Sequence, residues 1–495
     1  MVSKAPSAPR CAAIVGSYLS GKTTLFESIL HTCGATNRRG SVSDGNTVGD
    51  SSPESRAREM SVEMNVATVN YLDEEWTFID CPGSVELQQD TIGALMVADA
   101  AIVVCEPGQA RALAVTRLMK ELDDLGVPYL IYINKMDLPE AHVKNTLDAL
   151  QGMTERPLVL REVPIREDNV VTGFIDLVSE RAYQWEDGAA SKLIEVPDST
   201  NGRTEEERNQ MLESLADFND DLLEQLLEDV IPETDDVYNN LTKDLQDSAI
   251  VPVFFGSAEH ENGVVRLLKA LRHETPEYTV TLDRLSIDAD GEELAQVFKT
   301  QNGAQSGKLS LTRIWRGEFA DSAHINGTRI SGVFKMLGTQ QNKESKASAG
   351  QVVALGRLDG VQTSDTLSAS GDAEGPEWPP FLTPVYALAI HAGRRDDEVK
   401  MATAMAKIIE EDPSLSYGPN IDTGEHLLRG QGETHLRIVL DRLKNRNKLE
   451  VESHIPQVAY KESIRDKISQ HARHKKQSGG HGQFGDVHVD IKPLP

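Results

Sequence analysis

A glycine-rich segment near the start of the chain has the residue types and spacing of a phosphate-binding loop, Gly-Ser-Tyr-Leu-Ser-Gly-Lys-Thr over residues 16–23. Its glycines would let backbone N–H groups curl around a phosphate, and the helix that follows would add a favourable dipole. Lys22 should reach two neighbouring phosphates, and the Thr23 hydroxyl should ligate Mg²⁺. The residues expected to contact the phosphates are Gly16, Ser17, Gly21, Lys22, Thr23 and Thr24. Several classes of nucleotide-binding enzyme share this spacing, so other motifs must identify the nucleotide.

A second short motif, Asp-Cys-Pro-Gly over residues 80–83, closes a predicted strand. A carboxylate at Asp80 can hold Mg²⁺ through water, and Gly83 can approach the terminal phosphate with its backbone N–H. Alone, this pattern is more often a strand-ending turn. The motif therefore indicates nucleotide binding only in combination with the phosphate-binding loop.

Two later motifs predict which base is bound. In residues 134–137, Asn-Lys-Met-Asp, the Asp137 carboxylate can accept hydrogen bonds from N1–H and the 2-amino group of guanine. Adenine offers neither donor in that arrangement and would leave a buried carboxylate unpaired, and sites of this kind discriminate by roughly 10⁴–10⁵. Residues 256–258, Gly-Ser-Ala, follow a further strand and offer a backbone N–H to guanine O6. The base-binding residues predicted in this way are Asn134, Lys135, Asp137, Ser257 and Ala258.

Short apolar runs alternate with helical patterns over the first 140 residues, and each motif that follows a strand lies at its carboxyl end. This alternation predicts an α/β domain in which helices cover both faces of a mainly parallel sheet. Ligands bind at the carboxyl edge of such sheets. The predicted strands are 11–15, 66–71, 76–80, 101–105, 129–133 and 250–255, and the predicted helices are 22–32, 84–97 and 110–125.

The remaining chain divides by composition. The strand at 250–255 lies more than a hundred residues after its neighbour, so residues 157–249 are predicted to be an inserted subdomain. Residues 201–250 carry 15 acidic and 3 basic side chains, which indicates a solvated helical face or a docking surface. Later glycine-containing turns between short strands predict a β-barrel, and a linker rich in Pro, Glu and Gly precedes a small ferredoxin-like α/β sandwich. The predicted division is a disordered tail at 1–9, a nucleotide domain at 10–280, the barrel at 290–370, the sandwich at 382–464 and the start of an incomplete fourth domain at 465–495.

The overall composition is that of a globular protein with ordinary cores. Acidic side chains outnumber basic ones, 78 to 50, which argues against a general nucleic-acid coat because phosphate neutralisation requires Lys and Arg. One segment reverses this balance: residues 429–476 carry 12 basic and 6 acidic side chains, which fits either RNA contact or ordinary solvated helices.

Four cysteines cannot form a disulfide framework in 495 residues and favour a reducing cytosol. The longest apolar run, 92–105, is too short and too polar to span a membrane.

Taken together, these features resemble the translational GTPases, and among them the elongation factor G family. The resemblance covers nearly the whole chain. Beyond the nucleotide motifs it rests on residues 297–299, 307–309 and 313–317 in the barrel, 411–413, 430–436 and 456–460 around the sandwich, and 474–485 at the start of the fourth domain. It implies GTP and GDP as ligands with Mg²⁺, hydrolysis of GTP, and movement of tRNA and mRNA through a ribosome contacted at its RNA and stalk proteins. We expect a cytoplasmic monomer without membrane association, and a chain that stops early in the fourth domain.

Three positions depart from the family pattern. Leu19 replaces an Asp thought to help hold a monovalent cation, and Glu59 replaces a glycine in the first switch, residues 58–62, where Ser61 keeps a hydroxyl for Mg²⁺. Ser84 replaces the histidine that positions the attacking water. Serine is shorter and is no base at neutral pH, and the loss of such a group typically removes ~10²–10⁴ in rate.

These departures lead to two hypotheses about activity. The residues expected to act in hydrolysis are Lys22, Gly83 and Ser84, and those expected to hold Mg²⁺ are Thr23, Ser61 and Asp80. The first hypothesis is a translocation-type GTPase, like a divergent elongation-factor-G-like paralogue, with intact GTP binding and weakened hydrolysis unless Gln88 or Gln89 substitutes for the histidine. The second is a GTP-gated module that occupies the ribosome or a regulator without significant turnover. A P-loop kinase is disfavoured by residues 134–137 and by the barrel.

Overall fold

A computed structural model of the chain describes residues 7–139, 141–186, 188–303, 307–477, 479–480 and 482–493. Residues 1–6 of the predicted tail lie outside these ranges, as do two positions, 478 and 481, of the segment at 474–485. No helix in the described ranges is both long and apolar enough to cross a bilayer.

The nucleotide domain is built on a mainly parallel sheet, as predicted. Among its described strands the first pair is antiparallel and the following pairs are parallel, and the central strands are buried on both faces because helices cover both sides. In spatial order the strands are Asn65–Tyr71, Glu74–Asp80, Arg10–Gly16, Ala100–Cys105, Tyr129–Ile133, Val251–Phe255 and Leu158–Leu160. The α-helices are Lys22–Thr32, Pro53–Arg58, Gln88–Val97, Gln109–Ala112, Thr116–Asp124, Val143–Gln151, Val264–Glu274 and Tyr278–Arg284.

Two predicted helices are interrupted. The helix predicted at 84–97 begins with a 3₁₀ turn, Val85–Leu87, because the Ser84 hydroxyl accepts a hydrogen bond from Glu86 N at 3.3 Å and caps that turn. The helix predicted at 110–125 is divided by a second 3₁₀ turn, Leu113–Val115. There the Thr116 hydroxyl donates to the carbonyl of Leu113 at 2.8 Å, a side-chain bond that competes with regular helix.

The segment inserted between the last two strands of the sheet forms its own antiparallel sheet, whose strands are adjacent in sequence order. Its strands are Glu162–Glu167, Val170–Asp176, Arg181–Glu186 and Ala189–Ile194, and its α-helices are Asn201–Ala216, Asp220–Leu227 and Thr234–Gln246. Most of the acidic side chains of the three helices are exposed.

A buried carboxyl group joins this subdomain to the nucleotide domain. Arg266 Nε lies 3.5 Å from Glu162 Oε1, whereas its Nη2 lies 2.6 Å from Asp176 Oδ2, so Asp176 takes the closer ion pair. Burial, only partly offset by Arg266, raises the pKa of Glu162 to about 8. Glu162 therefore binds a proton in the folded state at pH values where the unfolded chain has released it.

The Glu162→Gln variant should be more stable than the wild type at pH 8 and nearly equal to it at pH 4. Because the folded pKa of Glu162 is raised, its contribution to the free energy of unfolding falls as pH rises from about 4.5 to 8, and a neutral amide removes that loss, about 1–3 kcal/mol. Urea unfolding at both pH values measures the difference. The control is Glu167→Gln, at the exposed end of the same strand, and an equal pH-dependent gain there would contradict the assignment.

The second and third domains follow the predicted order. The barrel strands are Leu294–Gly303, Gly307–Arg316, Glu318–Ala320, His324–Ile325, Thr328–Arg329, Val333–Leu337, Gln340–Glu344, Lys346–Ser348, Val352–Gly356 and Thr366–Ser368. The sandwich packs helices Glu398–Glu411 and Glu433–Asn445 on a sheet of strand order Ser416–Pro419, His426–Gly430, Tyr386–Ala392, Val451–His454. A hairpin of Ile468–Lys476 and Gln483–Ile491 follows. The predicted fold class, an α/β nucleotide domain with an insertion, then a barrel and a sandwich, is confirmed.

The nucleotide domain and the barrel are joined by backbone and by buried charge. Ala67 on the edge strand of the first sheet pairs with Leu337 of the barrel, so one sheet continues into the other. Asp99 and Arg313 are both fully buried and form an ion pair of 2.8 Å, and Asp99 also accepts from Cys11 N. The two domains therefore share a continuous sheet and a fully buried ion pair.

Candidate active site

The phosphate loop has a backbone that requires glycine at two positions. Gly16 and Gly21 have φ values of +148° and +89°. A Cβ at Gly16 would lie 2.1 Å from the carbonyl oxygen of Val104, and one at Gly21 would lie 2.3 Å from Asn134 Nδ2. Only glycine allows the loop to pass this close to two neighbouring strands.

Lys22 lies at the start of the helix that follows the loop. Its side chain is buried and Nζ donates to the carbonyl oxygen of Ser17 at 2.9 Å, which folds the ammonium group back over the loop. Thr24 stands in the same first helical turn. Gly83 lies on the other side of the ammonium group, since a Cβ there would be 2.4 Å from Lys22 Nζ. The structure thus brings the catalytic candidates Lys22 and Gly83 together.

The three predicted metal ligands also converge. Thr23 Oγ1 donates to Asp80 Oδ2 at 2.8 Å and lies 2.9 Å from Ser61 Oγ. Ser61 Oγ donates in turn to Asp50 Oδ2 at 3.1 Å. All four residues are buried. Asp50 is a fourth oxygen-bearing residue of this cluster that the sequence motifs did not reveal.

The electrostatics of this cluster favour a divalent cation. Burial raises the pKa of Asp80 to about 8, Asp50 adds to that shift, and Lys22 opposes it. Burial also raises the pKa of Asp50. Asp80 Oδ1 is buried and has no hydrogen-bond partner among the described residues. Hydroxyl and carboxylate oxygens are the donor set that Mg²⁺ prefers, and a bound cation would favour the ionised form of both buried carboxyl groups, so these residues fit the ion.

Asn134 ties the base-binding motifs to the phosphate loop. Its Nδ2 donates to the carbonyl oxygen of Ser20, and its Oδ1 accepts from Ala258 N, both at 2.9 Å. Lys135 Nζ donates to the carbonyl oxygen of Leu19 at 2.9 Å and also pairs with Glu106. Three segments that are far apart in the sequence are therefore held at one edge of the sheet.

The groups expected to recognise the base stand beside this junction. Asp137 is half-buried and has no hydrogen bond or ion pair within the described part of the chain. The Ser257 hydroxyl is buried and is likewise unpartnered there. One detail differs from the prediction, because the backbone N–H groups of residues 256–258 already donate within the protein, to Ile133, Asn262 and Asn134. A contact with guanine O6 must share or replace one of these bonds.

Ser84, where the family resemblance would place a histidine, and the two nearby glutamines all have hydrogen-bond partners in the structure. The Ser84 hydroxyl is engaged in capping its own turn. Gln88 Nε2 donates to Glu121, and Gln89 Oε1 accepts from Leu382 N at 2.9 Å, so both glutamines face other partners. Both glutamines are therefore already hydrogen-bonded to other groups, and Gln88 also lines the cavity beside Ser84 and the phosphate loop.

The other two departures lie at strained or exposed backbone. Leu19 has a φ of +62° and is exposed. Glu59 has a φ of +51° and ends the helix Pro53–Arg58 in the left-handed conformation, which explains why the family places glycine there.

A second buried carboxylate that no motif reveals, Glu27, accepts from the backbone N–H groups of Val48 and Gly49 and holds the segment that carries Asp50.

Side chains near the nucleotide site reach the third domain. Arg58 pairs with Asp441 at 2.5 Å, and Glu63 pairs with Arg442 at 2.9 Å. Glu86, two residues after Ser84, accepts from His435 N at 2.8 Å at the start of helix Glu433–Asn445. The segments on either side of the site are thus connected to one helix of the sandwich.

The Glu86→Ala variant should loosen the start of that helix. A carboxylate that accepts from a helix N-terminal N–H is worth about 1–2 kcal/mol, so amide hydrogen exchange at residues 434–436 should accelerate about 5–30-fold. Exchange measured by mass spectrometry tests this. The control is Glu433→Ala, which removes an acidic side chain from the same helix end without touching Glu86. Equal acceleration in both variants would show a general dipole effect instead of a specific contact.

Comparison with known proteins shows which family the chain belongs to. The family model described as elongation factor Tu GTP binding domain matches residues 8–277, elongation factor G domain III matches 381–455, and elongation factor G domain IV matches 456–495. An elongation factor G-like protein of Synechocystis is 46% identical over 98% of this chain and 72% of its own length. A crystal structure of a Thermus thermophilus protein superimposes with a TM-score of 0.87 at 30% identity, over 98% of this chain and 73% of that one. The chain therefore belongs to the elongation factor G family of translational GTPases.

Proposed function

We propose that this protein binds GTP and GDP with Mg²⁺, acts on the ribosome as a translocation-type factor, and hydrolyses GTP more slowly than family members with the histidine. The observation that carries the proposal is the meeting of the phosphate loop, Asp80, Asn134 and Ala258 at one sheet edge. GTP and GDP binding is what a GTP binding domain of this family implies.

In this proposal the site residues have separate roles in binding the phosphates, the metal ion and the base. Lys22 supplies positive charge to the phosphates, and Gly83 supplies a backbone N–H beside that charge. Thr23, Ser61 and Asp80 would hold Mg²⁺, which when bound neutralises charge that builds on the phosphates. Asp137 and Ser257 orient the base. We propose that Ser84 leaves the attacking water without a partner able to orient it.

The proposed ribosome contact uses the end of the basic segment. Arg442 and Arg446 are already occupied by Glu63 and Glu411, so the charge count over 429–476 overstates what is accessible. From residue 461 onward, Lys461, Lys467 and Arg473 are more than half exposed. Each lies 3.3–3.9 Å from an aspartate at the surface, and exposed ion pairs of this kind are weak enough to be exchanged. Phosphate groups of RNA are the partner that such side chains suit.

The same observations favour a second candidate, a GTP-gated binding module without significant turnover. Ser84 and the two engaged glutamines support it. In either case we propose a cytoplasmic monomer, which the four free cysteines fit. We also propose that the protein contacts the stalk proteins of the ribosome.

Binding and turnover can be separated with purified ribosomes. The protein should co-sediment with ribosomes in the presence of a non-hydrolysable GTP analogue, less so with GDP, and not at all with ATP. Multiple-turnover phosphate release then distinguishes the two candidates, since slow release supports a GTPase and none supports a module. Equal binding of ATP and GTP to the free protein would contradict both.

A further inference from the structure

The hairpin of Ile468–Lys476 and Gln483–Ile491 has two chemically different faces. Because side chains alternate along each strand, facing pairs alternate between the two surfaces. One surface is largely apolar and carries the pairs Ile468–Ile491, Gln470–Val489 and Ala472–Val487. The other is polar and carries the pairs Ser469–Asp490, His471–His488 and Arg473–Asp486. An apolar surface needs a covering layer, so the polar surface is the one left to solvent.

Three potential metal ligands converge on that polar surface. His471 Nε2 lies 2.5 Å from Asp486 Oδ1, and His488 Nε2 lies 3.8 Å from the same oxygen. The two imidazole rings stack in parallel with their centroids 3.9 Å apart, so one exposed ring must rotate about its side-chain bonds for both nitrogens to face a single ion. Within the described ranges this is the single group of three His, Cys, Asp or Glu residues whose ligand atoms all lie within 4.8 Å of one another.

The donor set specifies the class of ion. Two imidazole nitrogens and one carboxylate oxygen, completed by water, suit Zn²⁺ and related divalent transition metals. Mg²⁺ and Ca²⁺ prefer oxygen ligands alone. Arg473 Nε lies 3.4 Å from Asp486 Oδ2, which orients the carboxylate and leaves Oδ1 directed toward the histidines. His488 is 77% exposed, so the ion can enter from solvent.

We propose that His471, Asp486 and His488 form a surface site for a divalent transition metal, with Zn²⁺ as the principal ligand, that links the two strands of the hairpin. The site is separate from the nucleotide-binding residues and uses none of them. Its residues come from both strands, so the bound ion fixes the register in which they pair.

The test measures Zn²⁺ binding to the whole protein loaded with Mg²⁺ and GDP, which keeps added zinc away from Thr23 and Asp80. Calorimetry should show one equivalent of Zn²⁺, and Co²⁺ in its place should give the intense visible absorption of a tetrahedral ion. Removal of a residue that only hydrogen-bonds a metal ligand typically costs 10–100-fold in metal affinity. Loss of a direct ligand costs more, so His471→Ala and His488→Ala should each weaken zinc binding by at least ~100-fold.

The matched control is His474→Ala, a histidine of the same strand on the opposite surface, across from Gly485. It should leave the zinc equivalent and the cobalt spectrum unchanged. The three substituted side chains are exposed, so each variant should fold, and circular dichroism together with GDP affinity checks the hairpin-bearing chain and its nucleotide domain. The proposal is overturned if no zinc equivalent is found, if the double variant His471→Ala/His488→Ala retains it, or if His474→Ala loses it as well.

Discussion

The Asp137→Asn variant should bind GTP and GDP roughly 10²–10⁴-fold more weakly than the wild type and should prefer a xanthine nucleotide. In the proposed complex the carboxylate of Asp137 accepts hydrogen bonds from two guanine donors, whereas an amide presents one acceptor and one donor. The NH₂ group of the Asn side chain would face the 2-amino group of guanine, and these two donors could not form a hydrogen bond with each other. Xanthine has a carbonyl at that position, which restores the second hydrogen bond. Fluorescence titration with labelled GDP, competed by GTP, XTP and ATP, measures both effects.

Asp148→Asn serves as the control for this substitution. Asp148 is exposed on the helix Val143–Gln151, eleven residues further along the chain. Its substitution by Asn changes the net charge by the same amount as Asp137→Asn. Its nucleotide affinities should equal those of the wild type. An Asp137→Asn protein that keeps its preference for GTP would show that another group reads the base, and the buried Ser257 hydroxyl would be the first to test.

The Ser84→His variant should hydrolyse GTP on ribosomes ~10²–10³-fold faster than the wild type. The position has room for the longer side chain: Ser84 is half-buried, the neighbouring Val85 is 72% exposed, and a cavity of about 60 Å³ lies between this turn and the phosphate loop. An imidazole there could accept a proton or orient water, which the capping hydroxyl does not. Single-turnover quench-flow with saturating ribosomes measures the step directly.

Val85→His places the same imidazole one residue further on, pointing into solvent, and should leave the rate unchanged. Affinity for GTP should be the same in both variants, since neither touches the base or the phosphate loop. Brisk turnover by the wild type, with no gain from Ser84→His, would refute weakened hydrolysis and require a different group for the water.

The nucleotide motifs were predictable because each is a short segment next to the end of a strand. The spacing of residues 16–23 and 134–137 fixes local geometry, and the sheet then places the segments together, as the bonds of Asn134 show. Asp50 and Glu27 were not predictable in this way. Their roles depend on a loop folding back against the first helix, and nothing in the surrounding Ser- and Gly-rich sequence encodes that contact.

The glutamines illustrate the same limit. From sequence alone, Gln88 and Gln89 lie one helical turn from Ser84 and are reasonable substitutes for a missing histidine. In the structure one is occupied by Glu121 and the other by the backbone of Leu382, which lies 293 residues away. Partners at that sequence distance are set by how domains pack. Charge counting failed for a similar reason, because Arg442 is paired inside the protein.

The way the first domain is attached to its neighbours has a consequence for how the molecule responds to dissolved ions. The link to the barrel, through Ala67, Leu337 and the fully buried pair of Asp99 and Arg313, is out of reach of counter-ions. The link to the sandwich combines a small buried apolar cluster of Val62, Leu87 and Ile438 with partly exposed pairs such as Arg58 with Asp441, whose attraction falls as the Debye length shortens. Raised ionic strength therefore weakens the charged part of the link to the sandwich and leaves the buried link to the barrel unaffected.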